Sequence, residues 1–152
     1  MIYDGIVKGK YVCLRSIEEK DAPRILEMRA DYEYTKYLGP PLDSDVEHEE
    51  AWIRSLRDKS DDYTFVSIDS EGKIVGKIAL MDIADGNACS GRFLMYGNAL
   101  QSIETSYLMK VFAFDILKLE YIRAYIDPRN KRALRLSEME GMTFSNPEFV
   151  PE

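Results

Sequence analysis

The segment 63–96 constrains the fold more than any other part of the sequence, because three strand-like runs follow one another with only turn signals between them. The runs at 63–68, 74–83 and 89–96 are rich in apolar, aromatic and β-branched residues. Ser-Glu-Gly-Lys at 70–73 and Asp-Gly-Asn at 85–87 are typical turn sequences. Strands joined by connections this short are antiparallel neighbours. The segment therefore predicts a three-stranded antiparallel meander.

Helical segments lie on both sides of this meander. The strongest is 103–117, whose wide apolar stripe is typical of a helix that packs on a sheet. Other helices are predicted at 21–30, with Pro23 in the first turn, and from Ser44 or Asp45 onward. A last helix is predicted at 130–140 and ends at Gly141. Ser16 and Glu19 have the form of a capping box.

Three further strands complete the expected order of elements. They are predicted at 11–15, at 121–126 and, weakened by Pro147, at 143–149. The order β-α-α-β-β-β-α-β-α-β combines a meander with a β-α-β crossover. It predicts an α/β (α+β) fold with a mixed, mostly antiparallel central sheet and helices on both faces.

Composition narrows the class of protein. The 152 residues suit one domain, and the formal net charge of −7 disfavours binding to nucleic acid. No window approaches 18 uncharged apolar residues, and the first residues do not resemble a secretory signal. The two cysteines, Cys13 and Cys89, match no metal or redox spacing. We expect a cytoplasmic protein that neither spans a membrane nor holds a metal.

Several motifs, taken in order, resemble the GNAT superfamily of acyl-CoA-dependent N-acyltransferases. The resemblance is nearest the branch that acetylates ribosomal-protein alanines and nucleotide amino sugars, and it covers roughly residues 11–145. The motifs that carry it are Leu14-Arg15, Arg29-Ala30-Asp31 with Tyr37-Leu38, Glu49-Glu50-Ala51-Trp52, Val75-Gly76-Lys77-Ile78-Ala79-Leu80, Ala113-Phe114, and Asn130 with Ala133. The resemblance implies a single domain over 1–152 that is short at its C-terminal end.

The resemblance also implies a site for acetyl-CoA, used as a cosubstrate, between two splayed central strands. The fourth strand would bind the pantetheine amides through its backbone, and the turn into the third main helix would present amide N–H groups to the diphosphate. Asn130, with Ala133, would contact the pantetheine arm. The implied binding residues before the last helix are Phe93, Leu94, Met95, Tyr96, Gly97, Asn98, Gln101, Ser102, Ile103 and Glu104.

Four residues are candidates for proton transfer. Tyr96 could protonate the departing thiolate, or serve only in packing. Asp82 could bind the amine or relay a proton, or cap a turn. Ser137 stands where the family often places a tyrosine acid. His48, the only histidine, could act as a base or be a solvated surface residue.

The implied function is transfer of an acetyl group from acetyl-CoA to a primary amine by direct attack in a ternary complex. The amine would belong to a protein N-terminus, an amino sugar or another small molecule. An alternative is a catalytically degenerate member that only binds a ligand or partner, since residues 98–104 contain no glycine. The basic residues of the last helix either meet the CoA 3′-phosphate or are solvated: Lys131, Arg132 and Arg135. A second copy of the chain could pair with the open sheet edge and form a homodimer.

Overall fold

The computed structural model describes residues 1–37 and 45–143, and its strands form one six-stranded sheet in chain order. The strands are β1 (Val7–Lys8), β2 (Val12–Ser16), β3 (Tyr63–Asp69), β4 (Ile74–Ala84), β5 (Asn87–Met95) and β6 (Tyr121–Ala124). Neighbours from β1 to β5 are antiparallel, and β5 and β6 are parallel. The predicted mixed, mostly antiparallel sheet is therefore confirmed.

Helices cover both faces of this sheet, as predicted. They are α1 (Ala22–Arg29), α2 (Tyr32–Thr35), α3 (Val46–Asp58), α4 (Ala99–Val111) and α5 (Lys131–Met139). A 3-10 turn at Glu19–Asp21 precedes α1, and a π-helical turn at Phe112–Ile116 extends α4. Gly141 has a φ of 80° just after α5, which is the left-handed ending predicted for that helix.

The apolar core has two parts, one on each face. On the α4 face, the rings of Phe65 and Phe112 are both fully buried and meet edge to face, with centroids 4.8 Å apart. On the other face, Ile25 of α1 and Ile53 of α3 pack against Leu94 of β5. Helix α4 therefore covers one face of the central strands, and α1 and α3 cover the other. The residues on the two faces can serve different roles.

One side chain ties α4 to the first strands. An oxygen of the Glu104 carboxylate accepts hydrogen bonds from the backbone N–H groups of Tyr11, at 2.6 Å, and Val12, at 2.8 Å. The sequence places Glu104 in the first turn of its helix, and that prediction is wrong. Because α4 begins at Ala99, Glu104 lies in the second turn and its charge is directed at β2.

Two other local predictions need correction. The capping box forms between Glu18 and Asp21, whereas Ser16 is the last residue of β2 and its hydroxyl accepts from the backbone N–H of Tyr3. Ser16 remains in the strand and does not cap the helix, because its backbone is paired with β3. The short strand β1 was not predicted. The predicted strand at 143–149 lies outside the described residues, except for its first residue.

Candidate active site

Strands β5 and β6 pair only over a short stretch, and we call the space beside β5 beyond that stretch the strand gap. Their register runs from Asn87 opposite Tyr121 to Ser90 opposite Ala124. Strand β6 ends there, whereas β5 continues to Met95. Within the part of the chain that the structure describes, residues 91–95 therefore have no partner on the β6 side. Their main-chain donors and acceptors on that side are open to a ligand.

The pairing of β5 with β4 is also interrupted at this point. Lys77 lies opposite Leu94 and Ala79 opposite Gly91, so β5 holds one residue more than β4 between these pairs. This arrangement is a β-bulge, and the extra residue leaves ladder hydrogen bonds unmade. Arg92, inside the bulge, has a φ of 49°, which is unusual for a residue with a side chain. An ion pair of 2.7 Å with the buried Asp62 holds its guanidinium in place.

Helix α4 begins directly after β5, beside the strand gap. The side-chain oxygen of Asn98 accepts from the Gln101 N–H, and the Gln101 side chain accepts from the Asn98 N–H, each at 2.9 Å. Both caps are neutral, and the first turn contains no acidic residue. The positive end of the helix dipole is therefore not neutralised by the chain's own carboxylates. This glycine-free turn is an ordinary capped helix start.

The implied binding residues occupy these two structures. The residues from Phe93 to Met95 are in the part of β5 that has no described partner on the β6 side, and Gly97 lies between β5 and the helix cap. The backbone N–H of Ser102 donates to the Asn98 carbonyl inside α4, so that N–H is already used. Ile103 is exposed one residue further on.

Helix α5 carries the remaining predicted binding residues. The Asn130 side chain caps it by accepting from the Ala133 N–H at 3.2 Å. Ser137 is buried on its inner face. The three basic residues of this helix are all exposed: Lys131, Arg132 and Arg135. An ion pair between Lys110 and Glu140 joins α5 to α4.

The structure places Tyr96 and Asp82, two of the candidates for proton transfer, far from each other. Tyr96 follows β5 at the open end of the strand gap, is 37% exposed, and its hydroxyl donates to an Asp31 carboxylate oxygen at 3.3 Å. Asp82 lies near the other end of β5, next to the register position of Cys89. Tyr96 lies seven positions along the chain from Cys89, roughly 20 Å in a strand. Tyr96 is therefore not a buried packing residue, and it does not lie near Asp82. His48 is exposed and pairs with Asp45 at 2.7 Å.

A cavity lined by three cations and two aromatic rings lies on the α1 and α3 side of β4 and β5, and we call it the cationic pocket. Its volume is about 360 Å³, and its lining residues are Arg29, Tyr37, Trp52, Lys77 and Arg92. The Tyr37 hydroxyl donates to the backbone carbonyl of Arg129 at 3.2 Å. The pocket is thereby linked to the loop between β6 and α5.

Lys77 is the most unusual residue of this pocket. It is only 2% exposed, although its strand neighbours on the same face are apolar. Burial and the nearby guanidinium of Arg29 lower the pKa of Lys77 to about 8, against a partial opposing effect of Glu49 and a further lowering by Arg92. Its ammonium lies 4.9 Å from the centre of the Trp52 ring, at a distance typical of a cation–π contact.

Glu49 is the acidic residue whose charge acts on Lys77. It is 2% exposed on α3, one turn before Trp52, and does not line the pocket. Its Oε1 atom has no hydrogen-bond partner among the described residues. The carboxylate stabilises the charged form of Lys77 only through space.

No residue of this pocket has a functional role predicted from the sequence. Lys77 and Trp52 were noted there only as members of motifs that resemble the family. One signal was available, because Lys77 interrupts an otherwise apolar run at 74–81. A charged residue within a strand that is covered on both faces needs either a partner or a function. The contribution of Arg92 depends on the bulge, which no local pattern revealed.

Neither a metal site nor a membrane-spanning helix is found among the described residues. Residues 1–37 and 45–143 contain no group of three or more His, Cys, Asp and Glu side chains arranged to hold a metal ion. No helix within those same ranges is long and apolar enough to cross a membrane.

Comparison with known proteins identifies the family. The model of the acetyltransferase (GNAT) domain matches residues 12–143. No curated protein matches the sequence. A GCN5-related N-acetyltransferase from Brucella melitensis is 22% identical with a TM-score of 0.77, over 95% of this chain and 70% of that one. A GNAT-family acetyltransferase from Bacillus anthracis is 22% identical with a TM-score of 0.78, over 91% of this chain and 84% of that one.

A third similar structure contains ligands. It is a spermidine N-acetyltransferase from Vibrio cholerae in complex with CoA and spermine, 19% identical with a TM-score of 0.78, over 88% of this chain and 81% of that one. At these identities the solved structures establish a shared fold, and the family model, which spans most of the chain, establishes membership. The chain therefore belongs to the GNAT acetyltransferase family.

Proposed function

We propose that this protein transfers an acetyl group from acetyl-CoA to a primary amine, by direct attack within a ternary complex. The observation that carries the proposal is that the strand gap and the cationic pocket share one segment of β5. Residues 91–95 have an unpaired main-chain edge toward β6, and the same segment supplies Arg92 to the pocket. An acyl donor along the edge and an amine in the pocket would meet at the bulge.

The donor side of this arrangement relies on main-chain groups. The open edge of β5 can hydrogen-bond the amides of the pantetheine arm, as an added strand would. The uncompensated start of α4 suits the diphosphate, because free N–H groups and the helix dipole both favour an anion. No acidic side chain occupies that helix start, since Glu104 is directed at β2. The described residues therefore fit the cosubstrate that the family uses.

The reaction would pass the acetyl group directly from the sulfur of the donor to the amine nitrogen of the acceptor. The amine nitrogen forms a bond to the acetyl carbonyl carbon, the carbon–sulfur bond breaks, and one proton passes from the nitrogen to the departing thiolate. A backbone N–H at the bulge would stabilise the developing oxyanion. Tyr96, at the open end of the gap, is our candidate for returning the proton to sulfur.

The nearest cysteine does not favour a covalent acetyl-enzyme route. Cys89 lies on β5 and is 6% exposed. Burial raises the pKa of the Cys89 thiol, with smaller opposing effects from nearby arginines. The thiolate is the nucleophilic form, so this residue is a poor acceptor for the acetyl group. Direct transfer needs no such residue.

The donor half of the proposal is tested by calorimetric titration with acetyl-CoA. Asn98→Asp retains a good helix cap but places a negative charge where the diphosphate would bind. The added repulsion of about 1 kcal/mol or more predicts at least about a fivefold rise in Kd. Ser60→Asp adds the same charge to an exposed loop before β3 and should leave Kd unchanged. Equal affinities for all three proteins would contradict the proposed site.

The transfer half is tested by measuring thiol release from acetyl-CoA with a panel of primary amines. Amine-dependent release, reduced at least tenfold in Tyr96→Phe with KM for acetyl-CoA unchanged, would support both the reaction and the role of Tyr96. Tight acetyl-CoA binding without release on any amine would instead favour the degenerate binding protein. Absence of binding at millimolar acetyl-CoA would eliminate the proposed transferase.

A further inference from the structure

We propose that the cationic pocket binds a carboxylate or phosphate group of the acceptor, so that the acceptor is an amine carrying its own anionic group. The term acceptor rests on the proposed function, whereas the pocket's affinity for anions does not. The inference selects one chemical class among the many amines that a GNAT enzyme can acetylate. It also distinguishes this chain from a polyamine acetyltransferase.

The charges of the pocket are incompletely balanced. Within the described residues, Arg29 and Lys77 have neither a hydrogen-bonded nor an ion-paired carboxylate, and Arg92 is paired with Asp62. The three cations have two carboxylate side chains near them, those of Glu49 and Asp62. Both of these carboxylates are almost fully buried beneath the pocket, at 2% exposure each. The surface that a ligand meets is therefore positive.

For Lys77 the closest support comes from an aromatic ring and not from a carboxylate. The Trp52 ring centre is 4.9 Å from the Lys77 ammonium and 5.7 Å from the Arg92 guanidinium. A ring stabilises a cation but leaves its hydrogen-bond donors unused. The hydrogen-bond donors of Lys77 that the ring leaves unused are therefore available to an acceptor group of a ligand.

Anionic groups are the ligands that arginine and lysine side chains bind best. Arginine binds carboxylate and phosphate oxygens with two parallel N–H groups, and lysine adds a point charge. Burial, followed by the nearby guanidinium of Arg29, lowers the pKa of Lys77, so a negative charge placed beside its ammonium would stabilise it. A bound carboxylate or phosphate would provide that charge. The amine of the same molecule would then extend along the pocket wall toward the bulge.

A polyamine meets the opposite situation in this pocket. Spermidine carries several positive charges, and the cations at this site would repel each of them. The Vibrio cholerae relative, which shares the fold, is named for spermidine and was solved with spermine. We infer that the two proteins select different acceptors on a common framework.

The kinetic test compares primary amines that carry an anionic group with similar amines that lack it. The panel pairs β-alanine and 4-aminobutyrate with their primary amides, and 3-aminopropyl phosphate with 3-aminopropanol, and adds spermidine. We expect kcat/KM to be at least about tenfold higher for the anionic member of a pair, which corresponds to 1.4 kcal/mol. Lys77→Met and Arg29→Met should remove that preference. Lys59→Met, an identical change at an exposed position after α3, should retain it.

A binding test keeps the inference independent of turnover. Trp52 is the only tryptophan of the chain and lines the pocket, so its fluorescence reports directly on occupancy. Titration with inorganic phosphate or with 4-aminobutyrate, at constant ionic strength, should give a saturable change in the wild type and in Lys59→Met. The change should be lost or weakened at least tenfold in Arg29→Met, a half-buried site where folding is readily retained, and in Lys77→Met.

The outcomes separate the two proposals. Acetyl transfer that favours neutral amides or spermidine would overturn this inference and leave the proposed function intact. Saturable anion binding in the pocket without acetyl transfer would support this inference and count against the proposed function. A fluorescence change that is absent, or equal in all variants, would overturn the inference whatever the activity.

Discussion

The buried ammonium of Lys77 should make the free energy of unfolding vary with pH in the alkaline range, by an amount that can be calculated. Its pKa is about 8 in the folded chain, against 10.5 for the ordinary lysine value. Between these two values the unfolded chain holds a proton that the folded chain has lost. Stability therefore rises with pH across this window, and the cost of the buried charge is fully present below pH 8.

The magnitude follows from the two pKa values. From pH 7 to pH 10, the Lys77 contribution to the free energy of unfolding should increase by about 2.5 kcal/mol. Lys77→Met lacks the titrating group, so the difference in stability between wild type and variant isolates this contribution. Any effect of the variant on packing, or on the charge of Glu49, adds an offset that stays nearly constant in this window.

The assay is urea denaturation at pH 7, 8, 9 and 10, followed by tryptophan fluorescence with excitation at 295 nm. The wild type should gain stability relative to Lys77→Met at each step, most steeply between pH 8 and 10. Lys59→Met provides the control, since an exposed ammonium is hydrated in both states and its difference from wild type should stay level. A wild-type minus Lys77→Met difference that is constant to within about 0.5 kcal/mol would refute the buried ammonium.

Three further predictions concern the framework, and each is measured by urea denaturation. Phe112→Ala should cost about 3–5 kcal/mol because the ring is fully buried, whereas Phe114→Ala, at an exposed position, should cost less than about 1 kcal/mol; similar values would contradict the packing described. Glu104→Gln should cost about 1.5 kcal/mol, since two backbone N–H groups of the first strands lose a charged acceptor; an unchanged midpoint would count against this link. Lys110→Met should cost about 3 kcal/mol by leaving the Glu140 carboxylate unpaired, and Glu140→Met in the same chain should recover most of the loss; no recovery would mean that the pair is not coupled.

Periodicity and turn chemistry were sufficient to predict the layout of the sheet. The meander follows from two turn sequences and three strand-like runs, each of which is a local signal. The start of α4 was placed four residues too late, because its apolar stripe begins at Ile103 whereas its cap is formed by Asn98 and Gln101. Reciprocal capping by two side-chain amides is harder to recognise than the usual hydroxyl and glutamate pair.

The candidate site was less predictable than the fold, for a physical reason. The strand gap depends on where two strands distant in sequence stop pairing, and the pocket depends on a bulge that turns Arg92 toward α1 and α3. Both are properties of register, which a single sequence expresses only weakly. Lys77 was the exception, since a lysine inside an apolar strand already indicates an unusual environment.

The open edge of β5 has a consequence for how such proteins diversify. Under the proposed function, the acyl donor would be held chiefly by amide and carbonyl groups that every residue possesses, so replacing side chains there leaves those contacts available. The acceptor would instead be selected by a handful of side chains around one cavity. A few substitutions could then redirect the enzyme to new amines while its use of the donor is inherited unchanged.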